Sequence, residues 1–318
     1  MKSRLIEVAH RCLENRNYVL MLMFLAFAKS GIAQQEPQYT QYMYNPSIIN
    51  PAYSGSTGTL DLFAAYRNQW TGLDGAPETQ TLGVNKPLYN ERMGIGLNIQ
   101  NETLGPVKEF NAVVNFSYNI DLNYNTKLAF GVSGGIDNYD VDFSRGTFQD
   151  GNDPILSNNI DNRFSAIIGA GAYVYSDSWY AGVSVPDFFT NELYNGVENS
   201  IATEELQLYL MGGYVFELNP NLKFKPTVLA KYQKEYPLVV DISANFLIQD
   251  VINVGASYRY DDAVSALAGI HIFDGFFAGY SYDYTVTGLS SYNDGSHEIV
   301  LRYTLPQRSE KVNSPRFF

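Results

Sequence analysis

Alternation of apolar and polar positions dominates the chain from Thr59 onward. One face of residues 275–286 carries apolar and aromatic side chains: Phe276, Ala278, Tyr280, Tyr282, Tyr284 and Val286. The opposite face carries mostly small or polar residues, among them Gly279, Ser281 and Asp283. Residues 238–249 and 295–305 repeat the pattern. A period of two predicts β-strands, and this division of faces is typical of strands with lipid on one side and water or a plug on the other.

Repeated segments of this kind predict fourteen strands, most of them ten residues or longer, as a tilted membrane strand requires. They are expected to begin near Thr59, Glu78, Arg92, Lys108, Thr126, Asp161, Asp177, Thr203, Asn221, Tyr236, Val251, Ala263, Gly275 and Gly295. The second and seventh have the weakest pattern.

The predicted connections differ in length at the two rims. Tight turns follow strands four, six, eight, ten and twelve, whereas several odd-numbered connections are long, notably residues 139–160 and 186–202. Short turns at one rim and long loops at the other are typical of outer-membrane barrels, and an even strand count leaves both termini on the periplasmic side.

A soluble β-sandwich is the alternative, but its strands are shorter and their outward faces are charged. Here the charged residues share the face with Gly and Ser: Lys223, Lys225, Lys231, Asp241, Arg259, Asp283, Glu298 and Arg302. We therefore predict an all-β fold, a transmembrane antiparallel β-barrel of about 14 strands over residues 59–305.

The first 33 residues resemble a secretory signal peptide. Basic residues such as Lys2 and Arg4 precede the apolar run 18–28, and small residues follow, which predicts cleavage after Ala33. A retained anchor is the alternative, but this run is too short to span a bilayer as a helix. The signal and the barrel together predict a protein of the cell outer membrane, in contact with its lipid.

Composition and charge narrow the function. The formal net charge is −12, and the predicted signal removes more basic than acidic residues, which argues against a nucleic-acid partner. Cys12 leaves with the signal, so the mature chain has no thiol chemistry. It keeps His271 and His297, and neither lies beside a specified nucleophile. We expect no enzyme, cofactor or metal site. The 25 Tyr suit a membrane interface, where the ring meets lipid and the hydroxyl meets headgroups.

The segment before the first strand, residues 34–58, is rich in Asn and Pro. Asn45-Pro46 and Asn50-Pro51 exclude a ladder strand, because proline fixes φ and lacks a backbone N–H. With apolar residues such as Tyr53, the segment is predicted to plug the barrel or to dock a partner at the periplasmic mouth; a plain spacer is the alternative.

A second candidate lies on the loop side, between strands one and two. Residues 67–77 include Arg67, Trp70 and Pro77. Trp70 is either an aromatic anchor for a partner or a side chain that folds inward to pack the barrel mouth, and the sequence does not decide between them.

The C-terminal residues 306–318 extend past the last strand as a predicted periplasmic tail. Basic Arg316 and terminal Phe318 stand out in an acidic protein and are candidates for docking to a partner. A disordered end is the alternative.

Several motifs occur in order along the mature chain, at residues 38–55, 66–77, 182–186, 282–283, 295–299 and 314–318. Together they resemble the PorP/SprF family of outer-membrane proteins, which are associated with type IX secretion and, in some members, gliding motility. The resemblance adds Pro186, His297 and Glu298 to the partner-binding candidates. Asp187 departs from the pattern, since the family would more often place His or a neutral residue after the proline.

The resemblance implies a non-enzymatic protein that binds or anchors a secreted type IX cargo, such as an adhesin, through the cargo's C-terminal domain. It also implies contact with periplasmic machinery, either a secretion protein or a peptidoglycan-associated protein. The alternative is an outer-membrane channel for hydrophobic or small solutes, with the N-terminal segment as its hatch.

Overall fold

Fourteen antiparallel strands form one closed ring in the computed structural model, which describes residues 39–88, 92–145, 159–189, 206–234 and 236–306. The strands are β1 (Asp61–Asn68), β2 (Glu78–Pro87), β3 (Met93–Leu104), β4 (Val107–Asp121), β5 (Lys127–Val141), β6 (Ile160–Tyr175), β7 (Trp179–Val185), β8 (Gln207–Tyr214 and Phe216–Asn219), β9 (Leu222–Gln233), β10 (Val239–Ile248), β11 (Ile252–Arg259), β12 (Ala263–Phe273), β13 (Phe276–Thr285) and β14 (Ser296–Thr304). Each strand pairs with the next, and β1 pairs with β14 to close the ring.

The predicted strand number and order are therefore confirmed. Strand β8 is interrupted at Val215, whose side chain is buried, and both of its parts pair with β9. A bulge of this kind re-aims the strand without ending it. Strand β7, which has one of the weakest sequence patterns, is short at seven residues.

The two faces of the strands are divided as predicted. In β13, Phe277, Gly279, Ser281, Asp283 and Thr285 are buried, while the residues between them are exposed or half-buried. Seven of the eight charged residues predicted to face inward are buried and Lys223 is half-buried, whereas many outward-facing leucine, valine and aromatic side chains are exposed. This arrangement gives lipid an apolar surface and leaves the polar groups for the lumen.

One rim carries the short turns. Gln249 and Asp250 adopt left-handed φ values of 53° and 54° between β10 and β11, and Gly275 has a φ of 84° between β12 and β13. At the opposite rim, 18 residues separate the end of β5 from the start of β6 and 21 separate β7 from β8, although β3 and β4 are joined there by Gly105 and Pro106 alone. By the convention of outer-membrane barrels, the rim with short turns faces the periplasm.

The interior contains residues 39–58, called the lumen segment below. It is built of three short 3-10 turns, Tyr42–Tyr44, Pro46–Ile48 and Pro51–Tyr53. Pro46 and Pro51 each open a turn, where the missing N–H costs nothing. Within the described ranges, no helix is long and apolar enough to cross a membrane.

Candidate functional site: the filled lumen

The lumen segment forms much of the buried core. Ile49, Ala52 and Tyr53 pack in a buried cluster with Tyr173 and other inward side chains. Tyr42, Met43 and Tyr44 pack in a second cluster with residues of β1, β12, β13 and β14. The segment contains no charged residue, so it enters the interior without the cost of burying charge.

One half of the ring, β14 and β1–β7, binds the backbone of the lumen segment. A buried backbone that forms no strand ladder must satisfy its N–H and C=O groups with side chains or water. Glu298 accepts hydrogen bonds from the N–H groups of Thr40 and Gln41 at 3.0 and 3.1 Å. Four carbonyl contacts complete the set: Asn98 to Ser47 (3.0 Å), Asn115 to Ser47 (2.8 Å), Ser184 to Ile49 (2.6 Å) and Ser117 to Ser54 (2.6 Å).

Glycines on the same half allow the segment to approach the wall closely. A Cβ atom at Gly131 would overlap the backbone nitrogen of Ala52, and one at Gly94 would overlap the carbonyl oxygen of Ser54. Both glycines face inward and are buried. The wall therefore lacks side chains at the points where the segment passes, which is a frequent reason for glycine inside a strand.

An ion cluster holds the outer end of the segment. Arg67 lies 2.7 Å from Asp283 and 2.9 Å from Glu298, and all three side chains are almost fully buried. Thr40 donates its hydroxyl hydrogen to Asp283 at 2.6 Å and accepts from Arg67 at 3.1 Å. The cluster therefore joins β1, β13 and β14 to the first described turn of the segment.

A second buried ion pair lies toward the periplasmic rim. Arg302 of β14 donates two hydrogen bonds to Asp61 of β1, at 2.8 and 3.0 Å. It also donates to the hydroxyl of Tyr53 at 3.3 Å. Both ends of the lumen segment are thus tied to the strands that close the ring.

On the other half, represented by β9–β11, the hydrogen-bond contacts with the segment that the structure describes are made at the ends of the segment's side chains. The Tyr42 hydroxyl lies 2.8 Å from Thr227, and Asn253 donates to the Tyr44 hydroxyl at 2.6 Å. Asn245 lies 3.4 Å from the Met43 sulfur. Buried oxygens on this half that have no hydrogen-bond partner within the described ranges include Asn245 Oδ1 and Asn253 Oδ1.

Burial also changes the acidity of the segment's tyrosines. The pKa of Tyr42 and the pKa of Tyr44 are raised above the ordinary value of a tyrosine, chiefly because burial disfavours the phenolate. Both side chains therefore remain neutral hydrogen-bonding groups at physiological pH.

The predicted partner-binding residues are placed mainly in the interior. Asn45, Pro46, Asn50, Pro51 and Tyr53 are all buried in the lumen segment. Asn50 donates to the carbonyl of Ala172 on β6 and caps the third turn through the N–H of Ala52. As long as the segment stays in the lumen, these five residues are inaccessible to another protein, and their role in binding one stays a prediction.

The remaining candidates are divided between interior and rim. Arg67 and Glu298 belong to the outer ion cluster, and Pro77 is buried directly before β2, where its carbonyl accepts from the Gln69 N–H. Trp70 is half-buried, with a left-handed φ of 46°, and its backbone N–H donates to the Ser296 hydroxyl oxygen. His297 faces outward and lies 2.7 Å from the Tyr280 hydroxyl.

Pro186 directly follows β7, while Arg316 and Phe318 lie outside the described residues. Sequence reasoning missed the contact of Gly131 with the segment and the pairing of Asp61 with Arg302. Alternation does identify a charged residue or a glycine as facing inward. It does not identify the residue across the lumen that contacts it.

Comparisons with known proteins place this geometry in context. The fold is similar to the Acinetobacter baumannii outer membrane protein Omp33, at 8% identity and a TM-score of 0.48, over 77% of this chain and 97% of that one. It is also similar to a Pseudomonas aeruginosa FadL homologue, at 14% identity and a TM-score of 0.45, over 86% of this chain and 94% of that one. The Ralstonia pickettii toluene transporter TbuX is similar at 9% identity and a TM-score of 0.48, over 83% of this chain and 92% of that one.

Curated proteins give no match to this chain. Residues 31–303 match the family described as type IX secretion system membrane protein PorP/SprF, which confirms the resemblance seen in the motifs. With its fourteen-stranded outer-membrane barrel and a match over nearly its whole length, the chain belongs to the PorP/SprF family.

Proposed function

We propose that this protein is a non-enzymatic type IX secretion component that holds a secreted cargo, such as an adhesin, at the outer membrane through the cargo's C-terminal domain. It also contacts a periplasmic protein of the secretion machinery or of the peptidoglycan layer. Family membership supports the secretion role, and the filled lumen supports the holding role.

The observation that carries this proposal is the attachment of the lumen segment. An open tube between the rims would favour a solute channel, the alternative function. Residues 39–58 instead occupy the interior, with their backbone bound by side chains of the wall and both ends tied to buried arginines. A barrel with such an interior interacts with other proteins through its rims and its loops.

Deletion of the gene tests the proposal. We expect one surface protein to be lost from the cells and to appear in the medium, while uptake of small hydrophobic solutes stays normal. Both quantities are measured in the same strain, the first by proteomics of surface and medium fractions and the second by uptake of a labelled aromatic hydrocarbon. Impaired uptake with normal surface proteins would reverse the ranking and favour the channel.

A further inference from the structure

Neighbouring strands β6 and β7 differ strongly in length. Strand β6 has sixteen residues and β7 has seven, and their pairing extends only from Ala170–Val185 to Tyr175–Tyr180. On its other edge β6 stays paired with β5 as far as Arg163 and Ile160. The outer part of β6 therefore extends beyond its β7 partner at the rim with the long loops.

Residues 186–188, which directly follow β7, end the pairing between β7 and β6. Ser133, inside the barrel, donates to the Pro186 carbonyl, so this carbonyl is directed toward the lumen. The Asp187 carboxylate accepts the Ile168 N–H, in the place of a backbone carbonyl. Phe188 then donates its N–H to the Ile168 carbonyl at 2.8 Å. The ladder along this edge of β6 thus ends in a side-chain cap at Ile168.

Hydrogen-bond parity identifies the backbone groups that follow the cap. Ser176 and Ile168 bond toward the β7 side, and antiparallel pairing alternates from one residue to the next, so the even-numbered residues of β6 from Phe164 onward point that way. Asn162, at the register shift with β5, instead donates to Asp140. Phe164 and Ala166 therefore direct two N–H and two C=O groups to the free side. Within the ranges that the structure describes, none of these four groups has a partner.

We propose that this edge of β6, from Phe164 to Ala166, is the docking site for a β-strand of the secreted partner. The inference rests on the proposed function and names the place where the partner is held. Donors and acceptors that recur every second residue match an extended backbone, and strand addition to a free edge is a common mode of peptide recognition. The edge also lies at the rim with the long loops, which faces the cell exterior.

The side chains along the edge add selectivity. Phe164 and Ile168 face outward and are 64% and 49% exposed, while Ala166 between them is small. Across an added strand, Ala166 leaves room for a large apolar side chain flanked by Phe164 and Ile168. The partner strand is therefore expected to carry an apolar residue at the position opposite Ala166.

Replacement of Ala166 by proline tests the site with little effect on the barrel. Proline removes only the N–H that points to the free side, which is a position where edge strands accept proline. We expect Ala166→Pro to reduce the surface-held protein at least tenfold, with a matching rise in the medium. Ala166→Ser keeps the N–H and should behave as the wild type. The heat-induced gel shift confirms folding of both barrels, and a folded Ala166→Pro barrel that holds its partner normally overturns the proposal.

Hydrogen exchange provides an independent test. In the isolated, full-length barrel, the amides of Phe164 and Ala166 should exchange rapidly. In the complex purified with its surface partner they should exchange at least tenfold more slowly. Protection already present in the isolated barrel would mean that this chain or a second copy covers the edge, and would overturn the proposal.

The outcomes separate the two proposals. If gene deletion leaves every surface protein in place, the proposed function fails. If deletion releases a surface protein but Ala166→Pro does not, only the docking site on β6 fails.

Discussion

The two halves of the lumen hold the same segment in different ways. Strands β14 and β1–β7 bind its backbone with side chains and make room for it with glycines, whereas the hydrogen-bond contacts described for β9–β11 are with the side chains of Tyr42, Met43 and Tyr44. Hydrogen bonds to the backbone fix the position of a segment whatever its side chains are. Contacts with its side chains fill the space that is left in the lumen. The first half should therefore dominate the stability of the plugged barrel.

The largest effect is expected from the outer ion cluster. Arg67→Met leaves the Asp283 and Glu298 carboxylates buried without their cation, which should cost about 3–5 kcal/mol of unfolding free energy. Denaturant unfolding in detergent measures this loss. Lys223→Met, at the exposed pair with Asp250, is the control and should cost about 0–1 kcal/mol. Equal losses in the two variants would contradict a special role for the cluster.

Overpacking of the backbone-binding half should rank second. Gly131→Val places a side chain against Ala52 and should cost about 1–3 kcal/mol, since the segment or the strand must shift. Gly134→Val is the matched control on the same strand, because Gly134 faces outward with nothing within 4 Å. Denaturant unfolding compares the two. If the control loses as much stability as Gly131→Val, strand propensity rather than contact with the segment is responsible.

A smaller effect is expected on the opposite half. Tyr44→Phe removes the hydrogen bond from Asn253 but keeps the ring against Phe277, so the cost should be about 0.5–1.5 kcal/mol. The same unfolding measurement applies. A loss as large as that of Arg67→Met would remove the contrast between the halves.

The smallest effect near neutrality is that of pH on the segment's tyrosines. Because the pKa of Tyr42 and the pKa of Tyr44 are raised in the folded state, the unfolded chain releases these protons first once the pH exceeds about 10. Their contribution is complete below that pH and is lost as the pH rises further. Stability should therefore not change through these groups between about pH 7 and 9. The double variant Tyr42→Phe/Tyr44→Phe should show a weaker loss in alkali.

Alternation alone predicted most of the barrel. Strand number, strand order and the inward placement of Asp241 and Arg302 follow from the period of two, because each step along a strand exchanges lipid for lumen. The end of β7 was harder to predict. It depends on Asp187 capping Ile168, a contact across strands that local periodicity does not encode.

The interior was predictable in kind but not in detail. Two Asn-Pro pairs exclude a strand and favour a turned segment, and three 3-10 turns are present. The partners of this segment are distant in sequence, as with Thr40 and Glu298, which are separated by 258 positions. A single sequence carries no signal for such pairs, so Glu298 was selected as a partner-binding residue from the resemblance alone.

Arg67 and Arg302 bear on how the barrel is assembled. Arg67 and Asp61 lie on the first strand, Glu298 and Arg302 on the last, so both ion pairs bridge the seam that forms only when the cylinder shuts. Each ion pair also forms a hydrogen bond to the lumen segment, the first at Thr40 and the second at Tyr53. If the ring closed without the lumen segment inside, polar side chains of β1 and β14 would lose their hydrogen bonds to the segment. We therefore expect the ring to close less favourably when the lumen segment is not inside it, because the ion pairs between β1 and β14 would lose their contacts with the segment.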